Sequence, residues 1–265
     1  MDNEPQRISN PHLPITETLM VSLRFMAENW VYLIAILLLA FVLMSGLLIA
    51  FDALSNVVGG QDPLSSVIFF TIAFLIASAF VLTGIAGPSL HGNWRYLLSG
   101  PYAFQEMRWS VGVWLWANVI TFVACLPAAA LGVALGGPAL ALPFIILVAI
   151  FLQVRFFLAI PGSIALRKVT LEKSWTMTAA VQWPTLALFA LATIVSFVVS
   201  TFLSFPLALL ERVPVGAFQE LTQIGSTRAF FMNFAVTLCI NTIIASNAFR
   251  WLDYYSDNPL LDYGE

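Results

Sequence analysis

Six stretches of this chain are long and apolar enough to cross a lipid bilayer, and this limits what the chain can fold into more than any other feature. A hydrocarbon core of roughly 30 Å requires about 20 residues of helix. Trp30–Phe51, Ser66–Gly87, Val111–Leu135, Ala139–Ile160, Pro184–Leu210 and Ala229–Trp251 meet that length, and none of them contains Asp, Glu or Lys. Peptide groups in lipid have no water to bond to, so a spanning segment of this kind closes its hydrogen bonds internally as a helix. Only the Gly136-Gly137-Pro138 turn separates the third and fourth stretches, so they are expected to form a tight hairpin. The fold class read from the sequence is an all-α, polytopic membrane protein with six transmembrane helices in three hairpins.

Composition agrees. Of the 265 residues, 60% are hydrophobic and 9% charged, against roughly a quarter charged in a soluble domain. There is too little polar surface to coat a water-soluble particle. This excludes a soluble enzyme, a nucleic-acid binder and a disordered tail protein. The formal net charge of −3 supplies no basic field for nucleic acid. Cys125 and Cys239 sit in apolar runs and read as small core hydrophobes, and no ligand spacing links them to His12 or His91. No cofactor and no metal site is expected.

Orientation follows from the basic residues. With an even number of crossings, Arg7, Arg24, Arg95, Arg108, Arg155, Arg167, Lys168, Lys173 and Arg250 fall on the side of the termini, and only Arg212 and Arg228 on the other. This positive-inside bias predicts cytoplasmic N- and C-termini in a bacterial inner membrane. Every Trp (30, 94, 109, 114, 116, 175, 183 and 251) and every Tyr falls in or beside that same side. Such a one-sided belt reads either as an inner-leaflet anchor or as a docking surface for a lipid headgroup or a protein.

The chain also reads as one membrane domain of three units, residues 14–87, 99–160 and 168–251, followed by an acidic C-terminal tail, 252–265. Each unit is expected to be a hairpin preceded by a cytoplasmic interfacial amphipathic helix. In the first, Ile15, Leu19, Leu23 and Met26 share a face opposite Glu17, Arg24 and Glu28; the second places Phe104, Met107 and Val111 together; the third runs from Lys168 to Trp183. Thr16, Ser99 and Thr170 read as N-caps. Pro127, Pro143 and Pro206 read as breaks or tolerated kinks.

Small and polar residues mark contact faces inside lipid. Ala124, Ala128, Gly132 and Gly136 form such a stripe on the third span, Ser196, Ser200 and Ser204 on the fifth, and Asn233, Thr237 and Asn241 on the sixth. The serines are the nearest expected partners of the asparagines. The polar face is either interhelical bonding or the lining of a hydrated cavity. No catalytic motif is present: there is no HExxH, GxSxG, GxxxxGK[ST] or dinucleotide fingerprint.

Val154-Arg155-Phe156-Phe157-Leu158-Ala159-Ile160-Pro161, followed by Val169-Thr170-Leu171-Glu172-Lys173-Ser174-Trp175-Thr176-Met177-Thr178, resembles a signature of six-span prokaryotic membrane proteins. That group comprises the YciC-like inner-membrane proteins and the membrane domain fused to some glycerophosphoryl diester phosphodiesterases. The resemblance covers residues 154–183 clearly and the rest of the chain loosely; it departs at Ala179-Ala180, where the pattern has Gly-Arg or Gly-Asn. It implies a membrane module, sometimes coupled to lipid-related enzymes, and carries over no catalytic activity, since in the fused proteins the chemistry resides in the separate domain. Arg155, Pro161, Ser174 and Trp175, with Trp109, Trp114 and Trp116 at the second elbow, are then the residues expected to meet lipid or a partner. The role expected is that of a non-enzymatic structural or accessory subunit; the alternative is a transporter or lipid-handling protein using the polar faces of the fifth and sixth spans.

Overall fold

The apolar runs do become helices. The computed structural model describes residues 13–58, 63–92, 102–169, 171–210 and 219–254. In these residues the chain forms α1 (Ile15–Glu28), α2 (Trp30–Val58), α3 (Pro63–His91), α4 (Tyr102–Gly136), α5 (Pro138–Arg155), α6 (Ala159–Ala165), α7 (Glu172–Ala180), α8 (Gln182–Leu210) and α9 (Gln219–Tyr254). Six apolar spans lie within them: Trp30–Phe51, Phe69–His91, Arg108–Gly136, Ala139–Ala165, Gln182–Phe202 and Phe231–Tyr254. The all-α, six-span architecture read from the sequence is the one observed.

Local chemistry explains where the helices break. Asn29 ends α1 by folding its amide Nδ2 back onto the Phe25 carbonyl at 2.8 Å, and α2 starts at once. Gly137, with φ +81°, turns the chain between α4 and α5, and Pro138 then occupies the first helical position, where its missing N–H is not required. Pro161 has no N–H to give the Phe157 carbonyl four residues back. The helix accordingly opens over Phe156–Leu158 and restarts as α6, with Pro161 in its first turn. The fourth span is therefore two helices, where the sequence suggested one run to Ile160. Pro127 and Pro143 interrupt neither α4 nor α5.

Among its described residues the second unit shows no separate interfacial helix. α4 is continuous from Tyr102 to Gly136, because nothing between its first turn and its span breaks the backbone, and extending a helix costs less than nucleating another. Ser99 lies outside the described residues, as do Trp94 and Thr170. Thr16 is not a cap: α1 begins one residue earlier, at Ile15, after Pro14. α9 continues past Trp251 to Tyr254 with Asp253 buried, so the first residues of the expected acidic tail belong to the helix.

Consecutive long helices pack in pairs, α2 on α3, α4 on α5 and α8 on α9. α9 is the axis of the bundle, since it also touches α1, α2, α3 and α6. Its span is 67% buried, against 17% for that of α4. One apolar core joins α2, α3, α8 and α9 around Met44, Val81, Leu188, Phe231 and Ile243, while α4 and α5 share a smaller one around Val113, Ala117 and Leu152. Lipid gives no hydrophobic drive for these contacts, so close approach matters. A Cβ on Gly132 would stand 2.5 Å from the Ala141 Cα, so α4 and α5 touch backbone to backbone.

A series of contacts gathers the elbows at one end of the bundle. Ser89 of α3 hydrogen-bonds Ser246 of α9 at 2.9 Å, and Asn247 of α9 donates to Ser22 of α1 at 3.1 Å. A Cβ on Gly162 would lie 3.4 Å from Phe249 and 3.9 Å from Lys173, and one on Gly112 would meet Val169. The beginnings of α2, α4 and α8 thus share an end with the finishes of α3, α6 and α9.

Candidate functional site

The last carbonyl of α5 has no partner in its own helix, as at any helix C-terminus. Here α7 supplies one. The Ser174 hydroxyl donates to the Arg155 carbonyl at 2.7 Å; the Thr178 hydroxyl, 3.3 Å from that carbonyl, donates to the Ser174 carbonyl of its own helix at 2.7 Å. Ser174 and Thr178 lie one helical turn apart and are both buried, which fixes α7 across the end of α5. The Arg155 side chain then turns into the elbow. Its guanidinium lies 5.1 Å from the Trp175 ring centroid and 5.3 Å from that of Phe151, and Nη2 donates to the Gln182 Oε1 at 3.1 Å. Nε and Nη1 are buried without a hydrogen-bond partner, so the aromatic faces carry much of the stabilisation of this cation. Trp175 contacts the rings of Phe151 and Phe156, each 6.1 Å away, and keeps 41% of its surface exposed.

Three of the four expected elbow residues, Arg155, Ser174 and Trp175, therefore come together. Pro161 does not: it lies buried in α6. The tryptophans of α4 do not form one surface either. Trp116 is exposed, Trp109 is half-buried, and Trp114 faces inward, its ring 6.5 Å from that of Phe234. Residues 114 and 116 are separated by about 200° around a helix, so they cannot share a face.

A cavity of about 100 Å³ lies where α4, α5, α6, α8 and α9 meet. Asn118, Gln153, Asn241 and Thr242 contribute polar groups to it, and Trp114 and Phe189 apolar walls. Asn241 Oδ1 is buried with no hydrogen-bond partner; Asn118 donates to the Trp114 carbonyl at 2.7 Å. The volume accommodates a few water molecules. Of the polar stripe expected on the sixth span, only Asn241 reaches this cavity. Thr237 donates to the Asn233 carbonyl of its own helix at 2.8 Å.

The expected pairing of that stripe with the serines of the fifth span is not what the chain does. Ser196 donates to the Ala192 carbonyl at 2.7 Å and Ser200 to that of Phe197 at 3.1 Å, both within α8; the Ser204 side chain lies outside the described residues. A serine hydroxyl satisfies itself on the preceding turn and needs no neighbour, whereas an asparagine amide has more groups to satisfy than one turn offers. Asn241, its Oδ1 unpartnered, instead lines the same cavity as Asn118 and Gln153. Sequence reading missed both, because each is a single polar residue in an apolar span with no stripe to flag it.

The amphipathic reading of α1 holds for Ile15, Leu19 and Met26, which pack against the core, and for the exposed Glu17, Arg24 and Glu28, but it missed the residues buried most deeply. The buried residues of α1 are Thr18, Ser22 and Phe25, while Met20 and Leu23 are exposed. The cause is again a polar group in the bundle: Asn247 donates to the Ser22 hydroxyl, which donates to the Thr18 carbonyl at 2.7 Å. Thr18 and Ser22 thus sit deepest against the bundle, with Ile15, Leu19 and Met26 of the expected apolar face packed beside them and only Leu23 of that face left outside.

Taken together, these elements define a multi-pass, all-helical membrane protein whose polar contacts gather at one end of the bundle. Among the described residues no cluster of three His, Cys, Asp or Glu side chains suits a metal ion. No protein-family model matches the chain, and no significant similarity to curated proteins or to solved structures is found.

Proposed function

We propose that the protein is a non-enzymatic accessory subunit of a bacterial inner membrane, with both termini cytoplasmic, presenting aromatic elbows to lipid or to a membrane-protein partner. The observation that carries this reading is the third elbow. Arg155, Ser174, Thr178 and Gln182 hold α7 rigidly across the end of α5, while Trp175 and Trp183, the latter 76% exposed, remain on the outside. A preorganised apolar-aromatic ledge loses little side-chain entropy when something binds it. Its position beside Arg155, Arg167, Lys168 and Lys173 agrees with the positive-inside rule and with the resemblance to the YciC-like six-span proteins. Isolation in mild detergent, with identification of whatever remains bound, tests it. A stoichiometric membrane protein whose retention falls on Trp175→Ala and Trp183→Ala supports the reading; a bundle that co-purifies only with a defined solute sinks it.

One observation favours a second reading, the handling of a polar solute or lipid within the membrane. Three carboxamides from three helices, Asn118, Gln153 and Asn241, surround one cavity, and an orphaned oxygen of Asn241 is among them. Cysteine at 241 that reacts with a water-soluble thiol reagent would favour this reading over the first.

A further inference from the structure

A second and larger cleft, of about 330 Å³, opens between α1 and the end of α9. Its lining carries opposite charges, Glu17 from the first turn of α1 and Arg250 from α9, together with Thr18, Asn247, Trp251 and Tyr254. We propose that this cleft binds the headgroup of a zwitterionic phospholipid bearing a primary amine, phosphatidylethanolamine, with its phosphate at Arg250 and Thr18 and its ammonium at Glu17. The inference rests on the reading that these helix ends lie at the membrane surface.

Three independent features lead there. Thr18 is only 4% exposed, lines the cleft, and has a buried hydroxyl oxygen without a hydrogen-bond partner. The polar groups beside it are already engaged: Asn247 donates to the Ser22 hydroxyl and to the Ile243 carbonyl, both at 3.1 Å, and Ser22 donates to the Thr18 carbonyl. A hydroxyl left over at the wall of a roomy cleft is satisfied by something that enters it. Next, Arg250 is placed rather than trailing. Gly92, at the end of α3 with φ +68°, lies under its guanidinium, and a Cβ there would be 3.1 Å from Nη1. Arginine suits phosphate oxygens because its planar fork donates two parallel hydrogen bonds. Last, Trp251 and Tyr254 are residues of the kind that sit at headgroup level, and they close the end of a span.

The two charges select the lipid. A purely anionic headgroup meets Arg250 but also the Glu17 carboxylate, which repels it. A choline headgroup has the right charges, but its quaternary nitrogen has no N–H to donate. An ethanolamine ammonium offers three donors to that carboxylate and gains a charge-assisted bond that neither competitor makes.

The test uses the full chain, delipidated in detergent and titrated with short-chain phosphatidylethanolamine, phosphatidylcholine and phosphatidylglycerol, with bound species counted by native mass spectrometry. Phosphatidylethanolamine should bind about tenfold more tightly than the other two, the effect of one charge-assisted hydrogen bond. Glu17→Gln, a change at an exposed position, should abolish that preference while leaving the unfolding temperature unchanged. Arg250→Gln should weaken ethanolamine and glycerol lipids alike, and Thr18→Val should weaken both by a few-fold. Equal binding of the three lipids, or an unaltered preference in Glu17→Gln, overturns the proposal. Binding of soluble phosphoethanolamine or inorganic phosphate as tightly as the lipid would also overturn it, because the source would not be a membrane. A missing protein partner sinks the accessory role and leaves this lipid ranking untouched, so the two failures are distinguishable.

Discussion

The first and third elbows each lay a short helix against the end of a span, yet they are held by contacts of different reach. At the third, Ser174 and Gln182 meet Arg155 across 19 and 27 residues of chain. At the first, Ser22 meets Asn247 across 225 residues. Neighbouring segments find each other at small loop-closure cost and can dock as soon as the α5–α8 region forms. The first elbow waits until α9 is in place, and α9 is the last helix among the described residues. The third elbow is thus closed locally, while α1 closes a long loop onto α9, where Phe25 joins the main apolar core.

That contrast can be broken at several points. The largest effect is expected where two sequence neighbours touch backbone to backbone: Gly132→Leu must push α4 away from Ala141 and should cost about 3 kcal/mol, read as a lowered unfolding temperature in detergent. A silent substitution there would mean that the hairpin is not closely packed. Trp175→Ala removes the ring over Arg155 and should cost about 2 kcal/mol globally, with Trp175→Phe recovering part of the loss. At the first elbow, Ser22→Ala removes the acceptor of Asn247 and should cost about 1 kcal/mol. Its signature differs: α1 becomes open to protease while the spans keep their unfolding temperature. Equal effects of Ser22→Ala and Trp175→Ala on global unfolding would erase the distinction between the elbows. Smallest of all is Arg24→Ala. The Arg24–Glu28 pair, at 2.7 Å, is exposed on the outer side of α1 and should contribute nothing measurable to the unfolding temperature.

Legibility in the sequence follows the same division by reach. The spans were readable because twenty apolar residues in lipid admit few alternatives to a helix. The Gly132 stripe was readable because small residues four apart lie on one face, and the tight Gly136-Gly137-Pro138 turn named its partner. Arg155, Ser174 and Trp175 were readable as a group, because the resemblance places them together where a span meets the following short helix. Thr18, Ser22 and Phe25 were not. Helical periodicity shows that α1 has an apolar face, and Ile15, Leu19 and Met26 of that face do pack against the bundle, but it does not show that Thr18 and Ser22 are buried more deeply. Lipid accepts the apolar side chains left over, Met20 and Leu23, outside the bundle. Asn241 was expected beside the serines of α8, but Ser196 and Ser200 bond their own backbone, and Asn241 instead shares a cavity with Asn118 and Gln153.

The sequence by itself determined that the chain is helical, crosses a membrane six times, and turns at Asn29 and at Gly137. All of these depend on residues within one or two helical turns. The tertiary structure alone decided which side of α1 faces inward, that three carboxamides share a cavity, and that Glu17 and Arg250 open on one cleft. Those features depend on which helices become neighbours. In lipid that choice is made by a few hydrogen bonds and by close backbone approach, and neither leaves a periodic trace in the order of the residues.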